Sequence, residues 1–127
     1  MNDEEYQSRS LTGKVIGAAI EVHKILGPGF IESVYHNALK KELTLRGILY
    51  ETEKNVEIFY KEDEVGEHRL DMLIENTIVV ELKAVSEISD VHISQVVSYL
   101  KATELNVGLI LNFSRSKLDI KRVISNR

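Results

Sequence analysis

Ile78-Val79-Val80-Glu81-Leu82-Lys83 is the stretch that decides the fold. It reads as a strand, because an unbroken apolar run of β-branched residues is bounded upstream by the polar pair Asn76-Thr77. Side chains alternate across a strand, so Ile78, Val80 and Leu82 share one face while Glu81 and Lys83 share the other. A carboxylate and an ammonium at the edge of a hydrophobic core are costly to place there. The pattern suits a hard cation held by carboxylate oxygens, with a lysine beside the water or oxyanion that the cation polarises.

Upstream, Asn55 to Tyr60 and Glu67 to Glu75 read as two strands joined by the polar turn Lys61-Glu62-Asp63-Glu64, with Asn76-Thr77 turning the chain into the third. Within the second, Leu70, Met72 and Ile74 alternate on one face, and Arg69, Asp71 and Leu73 on the other. Antiparallel pairing places Asp71 on the strand next to Glu81. Register decides whether the two face the same side, and a slip of one residue reverses it.

Before the strands, Val15, Ile16, Ala19, Ile20, Val22 and Ile25 recur at helical spacing, ended by Gly27 as a left-handed cap and by Pro28. A second helix carries Ile31, Val34, Tyr35, Ala38 and Leu39 near one face. With Gly29 as its N-cap, Glu32 falls at the third helical position and completes a capping interaction. After the strands, Ser89-Asp90 opens a helix to about Glu104, and Val107 to Phe113 is a buried-type strand. The unit from Ile78 to that strand is a crossover between parallel strands, and Leu118 to Ile124 forms a short strand or helix. The order α, α, β, β, β, α, β predicts an α/β fold with a mixed sheet, a three-strand antiparallel meander plus one parallel strand, flanked by helices.

The 127 residues suffice for one hydrophobic core. Residues 1–10 are expected to be a flexible lead and 11–127 a single domain. The chain has no cysteine, which excludes disulfides and thiolate metal sites. Its acidic start, Met1-Asn2-Asp3-Glu4-Glu5, is unlike a signal peptide, and no apolar stretch would span a bilayer. A cytoplasmic protein without membrane contact is expected. The net charge of −4 argues against a general nucleic-acid coat protein. Charge is uneven, and the tail holding Arg115, Lys117, Lys121, Arg122 and Arg127 reads either as a phosphate-touching segment or as a solvated surface.

On the helix from Asp90, Ile93, Val96, Val97 and Leu100 form the apolar stripe. His92, Gln95 and Tyr99 form a second one, centred about 120° away at roughly 100° per residue. Gln95 and Tyr99 could hydrogen-bond a phosphate or a metal-bound water, or form a polar flank with a packed tyrosine ring. His92 reads as a surface or hydrogen-bonded histidine. His23, His36 and His68 lack zinc spacing, and neither a phosphate-binding glycine loop nor a serine-nucleophile elbow is present.

Asp71, Glu81-Leu82-Lys83, Gln95-Val96-Val97-Ser98-Tyr99 and the upstream Glu32, in that arrangement, resemble the PD-(D/E)xK nuclease superfamily. Gly29-Phe30-Ile31-Glu32-Ser33-Val34-Tyr35 fits GxxExxY, the signature that names one small branch of it. The resemblance runs from about Leu11 to Ile124, and departs from the superfamily pattern in having Leu70 where a proline precedes the aspartate. It implies a restriction-endonuclease-like core that hydrolyses phosphodiesters, most simply in DNA. Asp71, Glu81 and the Leu82 backbone carbonyl would bind Mg²⁺ or Mn²⁺, with Glu32 completing the acidic cluster directly or through water. Lys83 would orient or deprotonate the attacking water or stabilise the transition state. Gln95 and Tyr99 match the QxxxY element of the RecB-type nucleases and, with Tyr35, would line the site. The alternatives are a catalytically inactive module that binds nucleic acid or a protein, and an interaction protein working within a larger complex. A homodimer is one way for so short a chain to grip a duplex.

Overall fold

A computed structural model describes residues 3–125. Helix α1 (Asp3–Leu26) and helix α2 (Glu32–Leu45) precede strands β1 (Tyr50–Tyr60), β2 (Asp63–Ile74) and β3 (Ile78–Lys83). Helix α3 (Asp90–Thr103), strand β4 (Val107–Asn112) and strand β5 (Asp119–Ile124) complete the chain. The five strands form one sheet in the order β1-β2-β3-β4-β5, in which only β3 and β4 run parallel. This is the mixed α/β arrangement expected, and the open question at Leu118–Ile124 resolves as a strand. Among the described residues no helix is long and apolar enough to cross a membrane.

Two cores flank the sheet. Val15, Ala18, Ala19 and Val22 of α1 and Tyr35, Leu39 and Leu43 of α2 pack on Met72, Ile74, Ile78, Val80 and Leu82. On the opposite side Val96, Tyr99 and Leu100 of α3 pack on Leu70, Leu73, Val79 and Ile110. The buried face of α1 is narrower than its apolar pattern, since Ile20 and Ile25 remain exposed. Gly27 ends α1 as expected, at φ +69° with its N–H donating to the His23 carbonyl at 2.8 Å. Of the segment expected to be a flexible lead, residues 3–10 lie within helix α1. Helix α1 begins at Asp3, and Ser8 and Thr12 are buried, with the Thr12 hydroxyl bonded back to the Ser8 and Arg9 carbonyls. Residues 1 and 2 lie outside the described range.

The β1–β2 turn is tighter than the composition suggested, and the β2–β3 turn is one residue longer. The β1–β2 turn needs only Lys61 and Glu62, at φ +48° and +76°, so Asp63 and Glu64 already belong to β2. The β2–β3 turn holds three residues, Glu75 to Thr77, one more than expected, with Glu75 and Asn76 at φ +48° and +54° and the Thr77 N–H donating to the Ile74 carbonyl at 2.9 Å. Positive φ at both residues of the β1–β2 turn is the geometry that matches strand twist in two-residue hairpins. The extra residue of the β2–β3 turn sets the register Ile74↔Ile78, Leu73↔Val79, Met72↔Val80.

Gly108 on β4 lets α3 approach the sheet. A methyl added there would lie 2.6 Å from a Val96 methyl and 3.5 Å from the Val79 carbonyl oxygen. Gly108→Ala is therefore expected to destabilise the protein by about 1–3 kcal/mol. In urea unfolding, the same change should cost less in a Val96→Ala background, because the truncated side chain removes the clash. Equal costs in both backgrounds would rule out this contact as the reason for the glycine.

Candidate active site

The site lies where β2 stops obeying strand alternation. Leu70 packs on the α3 side, whereas Met72, two residues on, packs on the α1–α2 side. The strict alternation expected for Leu70, Met72 and Ile74 therefore fails at Asp71. The opposite strand shows the same twist: pairing steps from Thr52↔Met72 to Lys54↔Leu70, passing over Glu53, which sits at φ +52°. Non-glycine residues in that region carry local strain, which the surrounding sheet must hold.

The register of β2 and β3, continued one step, sets Asp71 opposite Glu81. The hydrogen bonds agree: an Asp71 carboxylate oxygen accepts from the Leu82 N–H at 3.0 Å, and a Glu81 carboxylate oxygen lies 3.5 Å from the Asp71 nitrogen. Had the turn centred on Asn76-Thr77, Asp71 would face Leu82 instead. Glu81 is 6% exposed, and its pKa is raised to about 8, first by burial and next by the negative charge of Asp71, against a smaller opposing effect of Lys83. Two carboxylates this close resist joint ionisation in the absence of a cation.

Glu32 enters from α2. Its side chain is exposed at the surface, yet its pKa is also raised, by partial desolvation and then by Asp71, while Lys83 and His36 pull it down. It is the first residue of α2, preceded by Ile31 as a cap without a side-chain hydrogen bond. The expected cap at Gly29, with Glu32 at the third position, is thus incorrect: Gly29, at φ +112°, belongs to the preceding turn. A carboxylate on the first turn still benefits from the helix dipole.

The other expected residues divide. Tyr99, on α3, stands near the acids: its pKa is raised by burial, then by Glu81 and Asp71. Gln95 lies one turn earlier on the same helix face and is exposed. Lys83 is half-buried and, among the described residues, in no ion pair. The segment after it is clamped by the buried Asn112, whose side chain accepts from the Val85 N–H at 3.0 Å and donates to the Val85 carbonyl at 2.9 Å. Tyr35 does not line the site. It is fully buried and stacked on Phe113 at 4.6 Å, and its hydroxyl donates to the Gly27 carbonyl and accepts from the Phe30 N–H. It ties the turn before α2 to the core and so fixes where Glu32 begins.

His92 caps α3, exchanging hydrogen bonds with Ser89, which accounts for it without a ligand role. Several neighbours of the site gave no motif signal. His36 donates to the Asp71 carbonyl at 3.3 Å, and His68 meets the Tyr99 ring edge-on at 4.5 Å. His36 shares the stripe Glu32, His36, Lys40 at four-residue spacing, which would have revealed it.

The donor set is oxygen only, the chemistry of Mg²⁺ or Mn²⁺ rather than of a soft metal. Among the described residues, no three acidic or histidine side chains are grouped so as to enclose an ion. An aspartate–glutamate pair nevertheless fits Mg²⁺, which commonly takes one or two carboxylates and fills its remaining positions with water and substrate phosphate. The raised pKa of Glu81 fits as well, since a cation would relieve the repulsion that contributes to it.

The mixed five-strand sheet flanked by three helices is an α/β domain of restriction-endonuclease-like fold. A model of the PD-(D/E)XK nuclease superfamily matches residues 9–123, and the chain belongs to that superfamily. Its nucleases generally use divalent metals. No curated protein matches the chain. Among solved structures it is similar to one titled "Crystal structure of SSO0001", at 20% identity and a TM-score of 0.59. The match covers 75% of this chain and 50% of that one, so this chain spans about half of its length. At that identity the likeness concerns the fold.

Proposed function

We propose that this protein hydrolyses phosphodiester bonds in nucleic acid, most simply DNA, with Mg²⁺ or Mn²⁺ at Asp71 and Glu81. The observation that carries the reading is the direct opposition of two buried-edge carboxylates with a lysine two residues along the same strand. The Leu82 carbonyl would add a neutral oxygen ligand, and Glu32 would act through water, since it stands within electrostatic reach of Asp71 without forming an enclosed set. The cation would neutralise phosphate charge and acidify a bound water. Lys83 is free to hold or deprotonate the attacking water and to place positive charge against the transition state. Tyr99 and Gln95 present hydroxyl and amide groups toward the strand being cut.

Membership of the GxxExxY branch is part of the proposal. It is supported by the separate duties of its residues: Gly29 at positive φ, Glu32 beside the acids, and Tyr35 anchoring the turn.

The test is a cleavage screen of linear, circular, single-stranded and branched DNA and of RNA with Mg²⁺ or Mn²⁺, against a Glu81→Ala/Lys83→Ala control. Metal-dependent cutting that the control lacks is expected. Metal-dependent cutting that persists in the control would refute the site, and metal-independent binding without any cutting would favour an inactive binding module.

A further inference from the structure

From the acids, an open groove of about 520 Å³ runs between α2 and the β1–β2 hairpin. Glu32, His36 and Lys40 line it from the helix, and Thr52, Arg69 and Asp71 from the strands. The acidic end contains Glu32 and Asp71. Lys40 lies eight residues beyond Glu32, about 12 Å along the helix axis, and Arg69 precedes Asp71 by two residues, about 7 Å along the strand. Carboxylates line the same groove, Glu53 among them, yet among the described residues neither Lys40 nor Arg69 is in an ion pair. His36 is already committed, through its bond to the Asp71 carbonyl. Two cations outside any ion pair thus face an open groove that begins at the acids, eight helix residues beyond Glu32 and two strand residues before Asp71.

We infer that Lys40 and Arg69 form a subsite for the backbone phosphates of a nucleic-acid strand flanking the bond to be cut, with the strand lying along the groove between α2 and β1–β2. This rests on the nuclease reading for the identity of its ligand. The arrangement answers the problem set by a net charge of −4. A polyanion approaching three carboxylates is repelled unless cations beside them hold the neighbouring phosphates. The subsite is a positioning device: it touches no reacting atom and fixes which phosphate reaches the acids.

The experiment is an anisotropy titration of fluorescein-labelled single-stranded and duplex oligodeoxynucleotides over a salt series, with Ca²⁺ in place of Mg²⁺. For Lys40→Ala/Arg69→Ala, the slope of log K against log[salt] is expected to shrink by about 1.4 for single strands or 1.8 for duplex, because two phosphates then keep their counterions. Lys40→Arg/Arg69→Lys should recover most of it. Lys14→Ala/Lys24→Ala, which removes two exposed α1 charges, should leave the slope unchanged. Arg69→Gln alone, at an exposed position, should show about half the effect, as expected for one phosphate of the two, and serves if the double variant does not fold. A slope equal to wild type in the Lys40/Arg69 variants, or absence of binding by wild type, overturns the inference. Cleavage that depends on Lys83 with a slope indifferent to Lys40 and Arg69 removes the subsite and leaves the nuclease reading standing. A slope that does depend on them in a protein that never cuts does the reverse. Inorganic phosphate that competes as well as the oligonucleotide would reduce the site to a general anion site and overturn the strand assignment.

Discussion

Asp71→Asn and Lys83→Ala are each expected to lower single-turnover cleavage by about 10²- to 10³-fold, the usual consequence of removing one preorganised stabilising group. Asparagine keeps the shape of Asp71 and an oxygen that can accept the Leu82 N–H, now at 3.0 Å. The substitution removes the charge that repels Glu81 and Glu32, so the variant should melt no lower than wild type. Loss of activity without loss of stability separates a chemical role from a structural one. Lys83→Arg retains the positive charge and cannot give up a proton at ordinary pH. Partial activity in that variant would assign Lys83 to charge stabilisation, and complete loss to proton transfer. Unimpaired cutting by Asp71→Asn would end the case for this cluster.

Glu81→Gln should remove most of the cation-dependent behaviour and make the metal-free protein more stable at alkaline pH. In the metal-free wild type the folded-state pKa of Glu81 is about 8, above its ordinary value of 4.5. The folded state therefore holds its proton more tightly than the unfolded chain does. The resulting stabilisation is fully present below pH 4.5 and is lost as pH rises through about 8. Glutamine is neutral throughout and escapes that loss, so the variant should be favoured by an amount on the order of a few kcal/mol above pH 8 and by little at pH 4. A cation at Glu81 reverses the wild-type trend, because it binds the carboxylate and expels the proton. Mn²⁺ should raise the wild-type melting temperature more at pH 8 than at pH 6 and leave Glu81→Gln nearly unmoved. Calorimetry at pH 7 in buffers of different ionisation enthalpy should show about one proton released per Mn²⁺ bound. Binding with no proton release would place the ion away from Glu81.

These two predictions rest on a geometry that the sequence specified only in part. Local residues determined the kinds of element: β-branched runs for β3 and β4, an apolar stripe for α3, and Gly27 for the end of α1. Composition also singled out Asp71, Glu81 and Lys83, because charge beside a buried strand is costly and alternation puts Glu81 and Lys83 on one face. Their meeting was not legible. Alternation assigns a face and leaves register open, and register here follows from a three-residue turn, Glu75 to Thr77, with positive φ at Glu75 and Asn76 that no simple composition rule demanded. At Asp71 even alternation misled, since β2 twists there and moves Leu70 and Met72 into different cores.

Tyr35 shows the same limit from the other side. Its place in a motif suggested the site, whereas stacking on Phe113, far along the chain, made it an anchor. The groove cations were invisible for a related reason: Lys40 and Arg69 are ordinary surface charges until α2 and the hairpin lie side by side. The sequence by itself determined the elements and the chemical types available to a cation site, because those depend on near neighbours and periodicity. Only the tertiary structure decided which carboxylates oppose each other, which tyrosine is structural and which cations share a groove with the acids, because those depend on turn geometry and on contacts between residues distant in the chain.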